Sequence, residues 1–415
     1  MAKQPNIRFK GFTEEWKEKV FSEFVTIRRG LTYSPESIVS EDGIIVLRSS
    51  NISDGQFHTY KDDVRVRKEV VQIPLVKEGD ILITAANGSK DLVGKHAIIH
   101  NLQMPSAPGG FMLLASGKET TFVNALMGAS WYSRFIGLST CGGGGSIGNL
   151  NKSDLENQIV NIPENKTERD VIAKYFDTLD SIILHRETEL EKLKNIKRAL
   201  LEKLFPQDGQ TTPAIRFKGF EGEWEKKRLK DIAIRVTRKN TGLKSTIPLC
   251  ISAQLGLVDQ TEYYNNVVVG ANMENYFLIQ KGEFAYNKSA ASEYPMGAVK
   301  CLENLEQGIL STLYIVFALK PDINEEYIKA HYETKPWQDD VKKRVAVGAR
   351  NHGLLNISPD DFFDSLVVIP SIKEEQRKVG KVLAKLDSLL SLRERQLTLL
   401  KHTKQALLEQ MFVNE

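Results

Sequence analysis

The residues with chemistry to offer fall in four polar loops. In the first half of the chain these are Asn87-Gly88-Ser89-Lys90-Asp91, with Lys95 close behind, and the glycine run Gly142–Asn149, which holds Ser146 and Asn149. In the second half they are Asn287-Lys288-Ser289, with Tyr294 nearby, and Gly348–Asn356, which holds Arg350, Asn351 and His352. An Asn amide can donate to and accept from an adenine edge at once, Arg and Lys suit guanine and phosphate, and glycine lets a backbone approach closely. Taken alone, each loop is more often an ordinary solvated connection than a reader of bases. Their matched placement in both halves favours them as a set.

Signatures of catalysis are missing. Gly143–Gly148 fits GxGxxG, but it follows a predicted helix rather than a strand, so the dinucleotide reading lacks its context. There is no GxxxxGK[ST] phosphate loop, no NPPF- or DPPY-like signature of amino-methylating methyltransferases, no HExxH and no GxSxG. His96 and His100 lie in a strand-like run and share no helical face. Cys141, Cys250 and Cys301 are far apart and form no CxxC, so neither a disulfide framework nor a cysteine zinc site is expected, and a reducing cytoplasm is the expected compartment. No apolar run approaches the ~18 residues of a membrane span. The start, Met1-Ala2-Lys3-Gln4-Pro5, lacks the apolar core of a signal peptide.

The elements that must position the loops are repeated. IRFKGFTEEWKEK begins at Ile7 and IRFKGFEGEWEKK at Ile215, 208 residues later. A second pair follows at an offset of 207: Lys166, Glu168, Leu179, Asp180, Arg186, Leu200 and Phe205 recur as Lys373, Glu375, Leu386, Asp387, Arg393, Leu407 and Phe412. Between these blocks the halves share little beyond Asn149-Leu150 before Asp154-Leu155, answered by Asn356-Ile357 before Asp361-Phe362. Duplication followed by drift would spread the differences evenly. Blocks of similarity favour a common frame carrying two different interiors.

Residues 168–204 and 375–411 are expected to be long helices. Ile172, Phe176, Leu179, Ile183, Leu190, Leu193, Leu200 and Leu204 follow alternating steps of four and three, as do Val379, Leu383, Leu386, Leu390, Leu397, Leu400, Leu407 and Met411. Arg186, Lys197, Arg393 and Lys404 fall at polar positions in the same seams. The economical arrangement pairs the two helices; the alternative packs each only on its own domain. In the IRFKGF segments, Phe9, Phe12 and Trp16 are expected to anchor the chain, while Arg8/Lys10 and Arg216/Lys218 could touch a phosphate.

The interiors read as mixed α/β. Strands are expected at Ile44–Arg48, Asp80–Thr84, His96–His100 and Gly110–Leu114, then at Val267–Val269, Glu283–Tyr286, Gly297–Cys301 and Thr312–Ala318. Helical segments follow near Asn124–Leu138 and Glu325–Lys343, and Gln158–Ile162 and Leu366–Ile369 are strand-like. Residues 25–160 carry 13 basic and 13 acidic side chains, and residues 233–368 carry 14 and 16, within a net charge of +3. Neither interior is a basic domain, despite clusters at Arg65–Lys68, Arg235–Lys239 and Lys342–Arg344. Affinity for nucleic acid scales with phosphates neutralised, so this chain alone should bind DNA modestly.

The duplicated IRFKGF…EW segments, GDILITAANGSKDLVGK (Gly79–Lys95), YNKSAASEYPMGAVK (Tyr286–Lys300), GARNHGLLNISPDDFF (Gly348–Phe363) and the endings ALLEKLF and ALLEQMF resemble the specificity subunit of type I restriction–modification systems. The resemblance covers essentially the whole chain. It implies an α+β fold with a pseudo-twofold internal repeat: target recognition domains at 1–160 and 207–368, and spacer helices at 161–206 and 369–415 that form an antiparallel coiled coil. It further implies that each domain reads half of a split target in double-stranded DNA, and that the chain itself is not catalytic. Two methyltransferase subunits would dock on the helices and methylate adenine at N6 with S-adenosylmethionine, and restriction subunits would join with ATP and Mg; no cofactor or metal is expected on this chain. Two other classes remain open from the residues: a DNA-modifying enzyme with an unfamiliar active site, and a coiled-coil scaffold that binds proteins only.

Overall fold

The structure, a computed structural model, describes residues 4–141, 148–207, 209–252, 256–264, 273–291, 294–346 and 353–413. It divides into two compact units: Met1–Glu189 with Arg393–Glu415, and Leu190–Leu392. Both long helices are present, Lys166–Leu204 and Lys373–Met411, and each is shared between the units. The leucine-rich stripes form their buried and half-buried face, as the heptad spacing predicts.

In the first unit a four-stranded antiparallel sheet runs in the order His96–Ile98, Ile81–Thr84, Met112–Ser116, Thr26–Arg29. Side chains alternate across it. Ile81, Ile83, Leu113 and Ala115 face a core of helices built around Phe122 and Phe176, whereas Leu82 and Leu114 face Ile45 and Leu47 of a second sheet. Burial on both faces explains why Ile81–Thr84 reads as a continuous apolar run rather than an alternating one.

The second unit repeats this topology with unrelated residues. Its sheet runs Ala298–Cys301, Phe284–Asn287, Ile315–Leu319, Ala233–Val236, again antiparallel. Phe284, Tyr286 and Phe317 face the helices, and Ala285 and Val316 face the opposite core. Identical strand order beneath dissimilar sequence was not visible in the residues, because many apolar sets fill one backbone topology.

The repeated blocks build the same frame twice. Lys17–Val20 pairs with Ile159–Ile162, and Glu225–Arg228 with Leu366–Ile369, with Lys17 opposite Ile162 and Glu225 opposite Ile369. Arg8 grips the buried Glu168 with two hydrogen bonds of 2.6 and 2.8 Å, and Trp16 Nε1 donates to the same carboxylate at 3.3 Å. Arg216 and Trp224 hold Glu375 at 2.7, 2.9 and 3.3 Å. Trp16 and Trp224 therefore anchor, as expected, and Phe9 and Phe217 pack against the same cores. The arginines are not available to a phosphate, because each closes a bidentate pair beside the core; Lys10 and Lys218 remain exposed.

Within each unit, one stretch of each long helix runs antiparallel to a stretch of the other. In the first, Phe176 meets Phe412 at 6.0 Å between ring centroids, Lys404 pairs with Asp180, and Lys401 reaches Glu187 at 2.7 Å. In the second, Phe205 packs on Trp224 and Tyr327, and Lys197 pairs with Asp387 and Glu333. The seam lysines thus find carboxylates from the facing helix, as register-setting polar residues do. Ile7 N donates to Gln410 O and Ile215 N to Lys203 O, both at 2.9 Å, so each IRFKGF segment is stitched to the last turn of a long helix.

The expected helix near Asn124–Leu138 is two helices, Thr120–Met127 and Ser130–Cys141. Gly128 lies at the break, where an added Cβ would sit 2.9 Å from Leu408. The segment near Glu325–Lys343 is likewise split into Glu325–His331 and Lys335–Arg344, with Pro336 opening the second helix. The expected strands lie within a few residues of those observed, except Val267–Val269, which lies outside the described residues. Among the described residues, no helix is long and apolar enough to cross a membrane.

Candidate nucleic-acid interface

The first polar loop of each unit joins the same two strands of its sheet: Asn87–Lys90 connects Ile81–Thr84 to His96–Ile98, and Asn287–Ser289 leaves Phe284–Asn287 towards Ala298–Cys301. Both loops begin with the same turn. Asn87 Oδ1 accepts from Ser89 N, and Asn287 Oδ1 accepts from Ser289 N, each at 3.0 Å. This local bond is why Asn-x-Ser leaves the strand here, and it turns each Asn side chain back on its own backbone. Asn87 Nδ2 also donates to Ser49 Oγ at 3.0 Å.

The second polar loop of each unit ends against the first. Gly148–Asn149 pairs antiparallel with Ala86–Asn87, and Leu150 N donates to Ala85 O at 2.7 Å. In the other unit Leu355 N donates to Lys288 O at 2.9 Å, Ala290 N donates to Gly353 O at 3.0 Å, and Ser289 bridges Leu354. The structure therefore brings together Asn87, Ser89 and Asn149 in one unit, and Lys288 and Ser289 with residues 353–355 in the other. Lys90 is exposed beside Ser89, and Lys95 is exposed at the far foot of the same loop, where its carbonyl accepts from Thr84 N. Tyr294 is half-buried in a turn closed by Tyr294 N to Ala291 O and Gly297 N to Tyr294 O. Ser146, Arg350, Asn351 and His352 lie outside the described residues.

Residues absent from the sequence-based set complete the first cluster. A cleft of about 360 Å³ beside the paired loops is lined by Arg29, Ala86, Phe111 and Asn149. Arg29 is exposed, whereas its neighbour Arg28 is spent on the carbonyls of Pro74 and Leu75. Arg48, next to the Ser49 that holds Asn87, is also exposed. Phe111 is 73% exposed. The available signals, an Arg-Arg pair and an aromatic after Gly109-Gly110, do not reveal which arginine is free; only the backbone does.

The basic runs noted in sequence are partly consumed internally. Arg238 pairs with Glu283 at 2.7 Å, Lys239 lies 4.5 Å over the Phe277 ring, and Arg344 pairs with Asp340 at 3.0 Å. His96 is part of the packing: it shares a 2.9 Å hydrogen bond with Asn124, and burial drives its pKa down to about 4. Glu303, Glu325 and Glu326 converge closely enough to hold a cation, but Lys329 already sits among them as their ion-pair partner.

The family model for a type I restriction modification DNA specificity domain matches residues 13–195. The chain is 25% identical over 388 residues to the type I restriction enzyme EcoKI specificity subunit of Escherichia coli (strain K12), an alignment spanning 89% of this chain and 82% of that protein. It is 28% identical over 215 residues to the StySPI specificity subunit of Salmonella potsdam, spanning 49% and 45% of the two chains. The crystal structure of a type I restriction-modification system S subunit from M. genitalium matches at a TM-score of 0.63 and 15% identity, covering 99% of this chain and 100% of that one, and so shares its fold.

Proposed function

We infer, from the chain's similarity to type I restriction–modification specificity subunits, that it is the DNA-reading subunit of such a complex and performs no catalysis itself. Each unit reads one half of a bipartite target through its paired polar loops, with Asn87, Ser89, Lys90, Lys95, Asn149, Asn287, Lys288, Ser289 and Tyr294 as candidate contacts. Recognition domains at 1–160 and 207–368 do the reading. The long helices set the distance between half-sites and dock two methyltransferase subunits, and restriction subunits complete the assembly. S-adenosylmethionine, ATP and Mg belong to those partners, and the complex works on DNA in the cytoplasm.

One observation carries this reading: a frame repeated bond for bond encloses two interiors that share strand order but not surface residues. That is the construction expected of two interchangeable readers on one scaffold. Near-neutral interiors fit a subunit that supplies specificity while partners supply much of the phosphate grip.

Methylome sequencing of cells expressing the chain with its methyltransferase subunit tests the reading. The expected result is one split motif, methylated at an adenine in each half. Exchanging residues 25–160 for those of another family member should change one half only; a change in both would defeat the modular reading. Adding one heptad to both helices should change the gap and leave both half-sites intact. Altered half-sites after that insertion would remove the spacing role from the helices.

A further inference from the structure

We propose that Phe111 is a wedge that enters the base stack of DNA in the half-site read by the first unit, with Leu313 as its counterpart in the second. The proposal deepens, and rests on, the DNA-reading function above.

Phe111 is 73% exposed, yet its backbone is held on every side. Its carbonyl accepts from both Ala85 N at 2.9 Å and Ala86 N at 3.1 Å, while Met112 N donates to Gly109 O and Gly109 N donates to Leu47 O, each at 2.8 Å. Gly30 presses so close that an added Cβ would fall 1.9 Å from Gly109 O. An aromatic ring in solvent on a mobile loop needs no explanation. A ring projected by a turn this constrained is already placed, so little ordering entropy remains to oppose contact.

Its surroundings indicate what it meets. Arg29 lines the same cleft as Phe111, and the Arg48 stem lies 3.7 Å from where a Cβ on Gly109 would sit. Among the described residues, neither arginine has a carboxylate partner, although the ion pairs elsewhere in the unit engage many of its other charges. Two arginines beside an apolar projection, neither paired with a carboxylate among the described residues, suit the phosphates of a base step. A hydrophobic protein partner would leave those charges facing apolar surface. Asn149, exposed, lines the same cleft, and its amide suits a base edge.

The second unit places an exposed apolar side chain at the equivalent position of its sheet. Ile315–Leu319 occupies the place of Met112–Ser116 in the sheet, and just before it Leu313 stands 56% exposed. Phe and Leu are both side chains that unstack base steps, so the shared position is explained by a shared role.

The test uses the full complex of this chain with its methyltransferase subunits and a duplex bearing the methylome-derived target, with 2-aminopurine placed at successive steps of each half-site. The expected result for the wild-type complex is a fluorescence rise at one step in each half. Phe111→Ala should abolish one rise and weaken DNA binding about 10–100-fold. Phe111→Trp should retain both, and Leu313→Ala should abolish the other rise. Since Phe111 is exposed, its variants should melt like the wild type. Normal binding and an undiminished fluorescence rise in Phe111→Ala would overturn the wedge. Loss of methyltransferase assembly with DNA contacts otherwise unchanged would reassign Phe111 to a protein interface and overturn it equally. If the wild-type complex itself shows no sequence-selective binding, the parent reading fails before the wedge is reached.

Discussion

Replacing Arg8 by Met should loosen the first unit by about 3 kcal/mol, and replacing Arg216 should do the same to the second. Glu168 is only 1% exposed and receives two hydrogen bonds from Arg8, whose side chain is 12% exposed. Two opposite charges about 4 Å apart attract by roughly 4 kcal/mol at an effective dielectric constant near 20. Some support survives the substitution: Trp16 Nε1 still donates at 3.3 Å, and the first helical turn favours the carboxylate by up to about 1 kcal/mol. The remainder, about 3 kcal/mol, sits at the lower end of the 3–5 expected for orphaning one member of a buried pair. Hydrogen exchange followed by mass spectrometry resolves which residues feel the loss. About 3 kcal/mol corresponds to roughly 100-fold faster exchange through opening of the unit. In Arg8→Met the acceleration should cover residues 17–27, 166–185 and 400–412, while 215–236 and 373–385 keep their protection. Arg216→Met should reverse that pattern and include 197–205. The double variant Arg8→Met/Glu168→Gln should recover part of the loss, since no charge is left buried alone. Acceleration confined to residues 4–20, with the helix termini unaffected, would show that the pair only tacks down a surface segment and that the reasoning is wrong.

Three further outcomes follow from packing and burial. Phe412→Ala and Phe205→Ala should each cost about 3–5 kcal/mol, because both rings sit in aromatic clusters with a tryptophan; exchange protection of residues 16–27 or 224–236 respectively reports it. Stability of both units should fall as pH drops from about 6.5 towards 4, since burial lowers the His96 and His331 pKa values to about 4 and the unfolded chain takes up protons first. The loss approaches about 3 kcal/mol per ring at the acid end and is absent above the unfolded pKa; His331→Phe should flatten the second unit's urea-midpoint profile between those limits. Gly297→Ala should displace the Asn287 loop, because Gly297 has φ +74° and an added Cβ would lie 2.1 Å from Asn287 O; DNA affinity of the complex should drop while exchange in the first unit is unchanged.

The frame was legible because its constraints are local or periodic. Heptad leucines marked both long helices to within two residues at their starts, and the repeated IRFKGF…EW segments marked the anchors. The fate of Arg8 and Arg216 was not legible, since their partners lie 160 and 159 residues away and nothing local distinguishes a buried guanidinium from a phosphate contact. The single helices expected at 124–138 and 325–343 hid breaks set by tertiary contact in one case, Gly128 against Leu408, and by a proline in the other. At the candidate interface, the Asn-x-Ser loops were found from residue type, and their edge-to-edge pairing with residues 148–149 and 353–355 emerged only with the fold. From sequence Phe111 reads as part of the strand Gly110–Leu114, because an exposed aromatic looks like a core aromatic until the turn that presents it is known.

The division between constant and variable residues has a physical cause. The bonds that both units share in fixing the frame come from the repeated blocks and their flanking strands: Arg8 with Glu168, Trp16 with Phe412, Lys17 opposite Ile162, and their counterparts in the second unit. Each interior adds ties of its own, Glu119 to Arg169 and Glu333 to Lys197. Even the proline turn before each long helix is held by the helix itself, through Arg169 to Pro163 O at 2.9 Å and Gln376 to Pro370 O at 2.8 Å. No ion pair in that set depends on a residue from the reader loops. A reader sequence can then change widely, provided its strands keep an apolar side chain towards each core and its few ties to the long helices, such as Glu119 to Arg169 and Glu333 to Lys197, are kept or replaced. Mutations without shared partners act nearly independently of the frame. The loops hang between the same two strands in both units, so altered loop chemistry arrives at the same place in the fold. Specificity can thus be rewritten in one unit while the stability of the frame, and the recognition performed by the other unit, are left as they were.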